Sequence, residues 1–141
     1  MADRKLKLTE WAPSEHEEQS VVVEWAGEMV RWKKYPELAG LFAIPNGVKY
    51  SGDYRNRAQW AAKMRAEGLR AGFPDLCLPI ARRGFNSLFI EMKSLRKGAV
   101  ETEEQVEWIR WLNDHGNHAV VCKGAKVAIE KLLWYVGYGN G

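Results

Sequence analysis

The first clear pattern in the chain is a run of apolar residues spaced three or four positions apart between residues 15 and 34. This is the spacing of one helix face. Ser14 precedes the run and is a residue type that caps helix N-termini. The pattern predicts a helix over 15–34, whose core-facing side carries Val22, Trp25, Ala26, Met29 and Val30.

The rest of the chain alternates between strand and helix patterns. The predicted strands cover residues 41–44, 75–80, 87–93 and 118–122, and the further helices cover 54–68, 102–116 and 125–136. The predicted element order is therefore α-β-α-β-β-α-β-α. Such an order is typical of an α/β domain in which a mixed β-sheet is flanked by helices.

Length and composition fit one globular domain. The chain has 141 residues, of which 46% are hydrophobic and 28% charged. We expect a polar segment over 1–13, one domain over 14–136 and a short tail over 137–141. No apolar run approaches the roughly 20 residues that cross a bilayer, and the N-terminus lacks the apolar core of a secretory signal. We therefore expect a cytoplasmic protein that does not bind membranes.

Basic residues are concentrated in the middle of the chain. Residues 49–97 contain 11 Lys and Arg against 4 Asp and Glu, whereas the remainder contains 10 basic and 14 acidic residues. This asymmetry favours a polyanionic partner, although an unevenly charged solvated surface explains it equally well. If the partner is a nucleic acid, the expected phosphate contacts are Arg55, Arg57, Lys63, Arg65 and Arg70.

Three charged residues mark the two central strands. In a strand alternate side chains share a face, so Glu91 and Lys93 lie on the same side, about 7 Å apart along the chain. Asp75 begins the preceding strand, and antiparallel pairing would bring it next to Glu91. The alternative is a solvent-facing Glu-x-Lys pair with Asp75 in an unrelated turn.

Two adjacent carboxylates repel each other unless one is protonated or a cation lies between them. Carboxylate oxygens are hard ligands that suit Mg²⁺ or Mn²⁺. A hydrated ion of this kind can bind a phosphodiester oxygen and acidify a water, while a nearby lysine stabilises the developing negative charge. The arrangement thus suits metal-dependent hydrolysis of phosphodiester bonds.

The order of motifs along the chain resembles the virus-type replication–repair nuclease (VRR-NUC) branch of the PD-(D/E)xK nucleases. The motifs, in order, are SEHEEQSVVVEW, AIPNG, KMRAEGLRAGFPDLCLP, LFIEMK, ETEEQVEWIRWLNDHG and AVVC. The resemblance implies a restriction-endonuclease-like core and hydrolysis of DNA with Mg²⁺ or Mn²⁺. It assigns Asp75, Glu91 and the main-chain carbonyl of Met92 to the metal, and Lys93 to catalysis.

The resemblance also implies two further site residues. Gln105 matches a glutamine near the active site, but it also stands at the third position of a Thr102-x-x-Gln105 capping box. Members of the family carry a metal-binding glutamate on the first helix. This role falls to Glu15 or Glu18, with Glu15 slightly favoured.

Stand-alone members of the family resemble Holliday-junction resolvases and act as homodimers. We therefore expect a DNA-repair endonuclease of phage or bacterial origin that cuts branched DNA as a homodimer. The alternatives are a nuclease for flaps or splayed arms, a restriction-type nuclease, and a catalytically inactive DNA-binding module.

Overall fold

The computed structural model describes residues 12–45 and 54–137, with backbone alone for Tyr54 and Arg55. The helices are α1 (Glu15–Arg31), α2 (Tyr54–Ala66), α3 (Glu103–Asp114) and α4 (Ala125–Val136), with a short 3-10 helix at Pro36–Gly40. The strands are β1 (Phe42–Ala43), β2 (Leu76–Leu78), β3 (Leu88–Lys93) and β4 (His118–Lys123). The predicted order of helices and strands is confirmed, and the 3-10 helix is an addition. None of the described helices combines the length and apolar character needed to span a membrane.

The four strands form one mixed sheet in the order β1-β2-β3-β4. The first two pairings are antiparallel, and β3 pairs with β4 in parallel. The predicted antiparallel pairing of the two central strands is therefore confirmed. Leu76 pairs with Ile90, so one step further along this register Asp75 comes opposite Glu91.

The core lies on one face of this sheet. Leu88, Ile90 and Met92 point to that face and are buried beneath α1 and α4. The predicted inward face of α1 is also confirmed, since Val22, Ala26 and Met29 are buried and Trp25 and Val30 pack against the core. Cys77 and Cys122 are buried free thiols.

Five elements end one to three residues earlier than the sequence predicts, and two of these ends have a clear local cause. The first helix stops at Arg31 because Lys33 adopts a left-handed backbone conformation, with φ 56°. The second strand stops at Leu78 because Pro79 has no N–H to donate to a neighbouring strand. Most of the predicted polar segment, and part of the turn at residues 45–47, lie outside the described residues.

Candidate active site

Asp75 is fixed by both neighbouring strands. Its main-chain carbonyl accepts a 2.8 Å hydrogen bond from the N–H of Ile44, and its Oδ2 accepts a 2.7 Å bond from the N–H of Met92. The rigid Pro74 precedes it and is fully buried. The carboxylate is therefore held against β3 at the end of the sheet where β2 begins.

Glu91 lies on the opposite face of β3 from the core residues and is only 1% exposed. Its Oε1 accepts a 2.8 Å hydrogen bond from Gln105 Nε2 and lies 3.7 Å from Lys93 Nζ. Its Oε2 is buried and has no hydrogen-bond partner among the described residues. One oxygen is thus fixed by protein groups, and the other is available to a ligand.

Gln105 has both of the roles that the sequence allowed for it: it completes the helix cap at Thr102, and it contacts Glu91. Its Oε1 accepts from the N–H of Thr102 at 2.8 Å, and its own N–H donates to Thr102 Oγ1 at 3.2 Å, so the predicted capping box is confirmed. Because this bond fixes Oε1, the amide nitrogen Nε2 is the atom turned towards Glu91. The helix cap therefore sets the orientation of a side chain in the site.

The structure separates the two candidate glutamates of α1. Carboxylate oxygens of Glu15, Asp75 and Glu91 lie within 4.8 Å of one another. Glu18 is buried elsewhere, where its Oε2 accepts a hydrogen bond from the N–H of Ala125, the first residue of α4. Glu15 thus joins the carboxylate cluster, whereas Glu18 binds the N-terminus of another helix.

The cluster is electrostatically strained without a cation. Burial, together with the charges of Asp75 and Glu15, raises the pKa of Glu91 to about 9, against the opposing influence of Lys93. Burial also raises the pKa of Asp75, which the bond from the Met92 N–H partly offsets. The pKa of Glu15 is raised by burial and by the charge of Asp75. Three carboxylates so placed favour either a retained proton or a bound cation.

The donor set fits a hard divalent ion. Oxygens bound to one such ion at about 2.0–2.6 Å lie within roughly 5 Å of each other, a condition that the three carboxylates meet. The carbonyl of Met92 adds a fourth oxygen. In a strand the N–H and C=O of one residue point the same way, and the Met92 N–H points to Asp75. Asp75, Glu91, Glu15 and this carbonyl therefore fit Mg²⁺ or Mn²⁺.

The predicted phosphate contacts lie outside this cluster of side chains. Arg57, Lys63 and Arg65 are exposed on α2. Arg70 is also exposed, and its guanidinium donates to the main-chain carbonyls of Arg65 and Leu69. The side chain of Arg55 lies outside the described residues.

Two residues that were not among the predicted site residues also position the site. Gly72 has a φ of 79°, and a Cβ there would lie 2.8 Å from Glu104 Cβ and 3.0 Å from the main-chain nitrogen of Gln105. Trp108 Nε1 donates a 3.1 Å hydrogen bond to the carbonyl of Ala71. Together they hold the segment before Asp75 against the start of α3. The glycine before Phe-Pro-Asp was the available sequence signal for the close approach.

Two of the comparisons with known proteins give a match. The family model of the VRR-NUC domain matches residues 9–126. A solved structure described as a "VRR_NUC domain protein" is similar, with a TM-score of 0.70 and 30% sequence identity over 89% of each chain. No curated protein matches the chain.

Proposed function

The chain belongs to the VRR-NUC domain family, whose members are nucleases of the PD-(D/E)xK type, and on that premise we propose a metal-dependent DNA endonuclease. The observation that carries the proposal is the cluster of Glu15, Asp75 and Glu91 beside the buried Lys93. Its carboxylate oxygens are hard ligands that suit a divalent cation. Burial and the neighbouring carboxylates raise the pKa of Glu91, and a bound cation would offset both effects.

The proposed metal ligands are the carboxylates of Glu15, Asp75 and Glu91 and the main-chain carbonyl of Met92. A divalent ion held there would supply positive charge at the scissile phosphate and would lower the pKa of a bound water. Asp75 is held in position by the Met92 N–H, so this ligand loses little conformational freedom on binding. Glu91 offers its partnerless Oε2.

Lys93 is proposed to act on the reacting groups, and Gln105 is proposed to position Glu91. Lys93 Nζ lies 3.7 Å from Glu91 Oε1, too far for a strong hydrogen bond, so the ammonium can also donate to a phosphate oxygen or orient a water. Gln105 holds Glu91 Oε1 at 2.8 Å and so keeps the carboxylate in a fixed rotation. The lysine thus provides charge stabilisation, and the glutamine provides positioning.

The proposed substrate is branched DNA, and the proposed active form of the protein is a homodimer. The support is the family resemblance of the motifs, together with a basic central segment suited to phosphate contacts. Two sites related by a two-fold axis would make symmetric cuts in a symmetric junction. A flap nuclease, a restriction-type nuclease and an inactive binding module are the outcomes against which this is tested.

The test is a cleavage assay on four-way junction, flap, single-stranded and linear duplex DNA, each with Mg²⁺, Mn²⁺ or EDTA. We expect cleavage only with a metal and fastest on the junction. Asp75→Asn, Glu91→Gln and Lys93→Ala should each reduce the rate by about 10²-fold or more, because each removes a group needed in the transition state. DNA binding in EDTA should persist in all three variants.

Glu17→Gln is the matched control, because Glu17 is an exposed acid in the same helical turn as Glu15. It should cut at the wild-type rate. Full activity in EDTA, or in Asp75→Asn, contradicts the mechanism. Equal rates on all four DNA forms would leave a nuclease without branch selectivity, and light scattering that gives only a monomer on the junction would contradict paired cuts.

A further inference from the structure

Two cationic side chains, Arg83 and Lys131, contact the indole of Trp134, which lies in the last turn of α4. The guanidinium carbon of Arg83 and the Nζ of Lys131 each lie 4.5 Å from the centre of this ring. Lys131 Nζ also lies 3.3 Å from Nε2 of His118, the first residue of β4. Trp134 is 39% exposed, so solvent and ligands can reach the group.

Arg83 is held in place by an uncommon backbone conformation. Residues 82 and 85 exchange hydrogen bonds across a tight turn, and both central residues have positive φ, 54° for Arg83 and 83° for Gly84. Asparagine is the side chain that favours the position of Arg83 in such a turn. Arg83 Nε donates a 2.6 Å hydrogen bond to the carbonyl of Trp134, which fixes the guanidinium over the indole.

Capping of α4 alone does not account for this arrangement. One cation at a helix C-terminus satisfies a free carbonyl and opposes the helix dipole. Here Arg83 and Lys131 contact the same ring, so two positive charges lie at one indole. Among residues 12–45 and 56–137, the one salt bridge joins Lys93 to Glu91, so neither cation has a carboxylate partner there. An anion beside the indole would offset both charges.

The group lies far from the carboxylate cluster. His118 pairs with Leu88 at the start of β3, and about 10 Å of strand separates Leu88 from Glu91. Leu88 faces α1 and α4, whereas Glu91 faces α3. The group at Trp134 therefore lies on the opposite face of the sheet from Glu91.

We propose that Arg83, Lys131 and Trp134 form a second phosphate-binding site, which holds the DNA backbone of an arm other than the one being cut. This rests on the proposed function, because DNA is the polyanion that the nuclease site acts on. Two cations at one indole, neither with a carboxylate partner among the described residues, suit one phosphate group that accepts charge-assisted hydrogen bonds from them. The site adds a contact that a branched substrate makes and a linear duplex does not.

The test measures binding of labelled four-way junction and linear duplex by fluorescence anisotropy, in EDTA and over a range of salt concentrations. The variant combines Arg83→Asn, which suits the turn, with Lys131→Gln. Each lost phosphate contact reduces the slope of log affinity against log salt by about 1. We expect a reduction of about 1 for the junction and none for the duplex, with cleavage of linear duplex by bound enzyme unchanged.

The control combines Lys33→Asn with Arg31→Gln. It also removes two positive charges, and Lys33 has the same left-handed conformation as Arg83, with φ 56°. The control should keep the wild-type slopes, and circular dichroism should show both variants folded. An unchanged junction slope in the site variant, an equal reduction in the control, or absence of DNA binding by the wild type overturns the proposal. Absence of cleavage with Mg²⁺ or Mn²⁺ while the slopes differ as expected would instead refute the nuclease function alone.

Discussion

Glu15 and Glu18 lie one turn apart on α1, yet they contact different parts of the molecule. Glu15 reaches Asp75 and Glu91, and Glu18 accepts a hydrogen bond at the N-terminus of α4. Both positions face inward, so helical spacing could not separate them from the sequence. Only the packing of α1 on β3 and α4 decides which acid reaches which partner. Spacing along a helix thus predicts a face but not a partner on another element.

This difference predicts opposite effects of Glu15→Gln and Glu18→Gln. Glu15→Gln should weaken Mn²⁺ binding and cleavage while leaving stability in EDTA equal or higher, because it removes one charge from a repelling cluster. Glu18→Gln should lower the free energy of unfolding by about 1 kcal/mol, because a neutral oxygen accepts more weakly than a carboxylate. Its cleavage rate per folded molecule should stay at the wild-type level. Urea unfolding measures the stability of each variant, and Mn²⁺ titration measures its metal affinity. Loss of metal affinity in Glu18→Gln would contradict the assignment.

At the scale of elements, the sequence predicted each helix and strand of the described chain apart from the 3-10 helix. Helix caps and strand alternation depend on local sequence. The N-caps Ser14 and Thr102, and the shared strand face of Glu91 and Lys93, could therefore be predicted from the sequence. The direction of β4 and the close approach of Gly72 to α3 depend on contacts between distant segments. Local patterns carry no information about the direction of β4, and a glycine at position 72 indicates a close approach without identifying the partner.

The outer edge of β4 is covered by a side chain from the preceding helix. Asn113, at the end of α3, accepts a 2.9 Å hydrogen bond from the N–H of Ala119 and donates a 3.0 Å bond to its carbonyl. The side chain therefore occupies the main-chain groups that a neighbouring strand would otherwise pair with. Free strand edges invite pairing with other chains.

Asn113→Leu is predicted to free this edge. We expect a loss of about 1–2 kcal/mol in the free energy of unfolding, because two buried main-chain groups lose their partner. Light scattering should also show more self-association than in the wild type as the concentration rises. Asp114→Ala, at the next and exposed position, is the control for the loss of a polar group. A variant as stable and as dispersed as the control would contradict this role.

At the scale of the molecule, the carboxylate cluster joins three parts of the chain. Glu15 comes from the start of α1, Asp75 from the segment before β2, and Glu91 from β3, with Gln105 of α3 bonded to it. The charges that bind a cation therefore repel across the fold when no cation is present. Stability of the whole domain and metal binding are thus linked.

This linkage predicts a pH dependence that a metal reverses. The folded-state pKa of Glu91, about 9, lies above its ordinary value of 4.5, so its contribution to stability is complete below pH 4.5 and is lost as the pH rises towards 9. In EDTA the Tm of the wild type should fall from pH 7 to 9, and Glu91→Gln should fall less. His118 does not contribute in this range, because its lowered pKa keeps it neutral above pH 7. Saturating Mn²⁺ should raise the wild-type Tm most at high pH, where the carboxylate binds without losing a proton. Equal pH slopes in the two proteins, or a wild-type Tm unaffected by Mn²⁺, would show that Glu91 is neither strained nor a ligand.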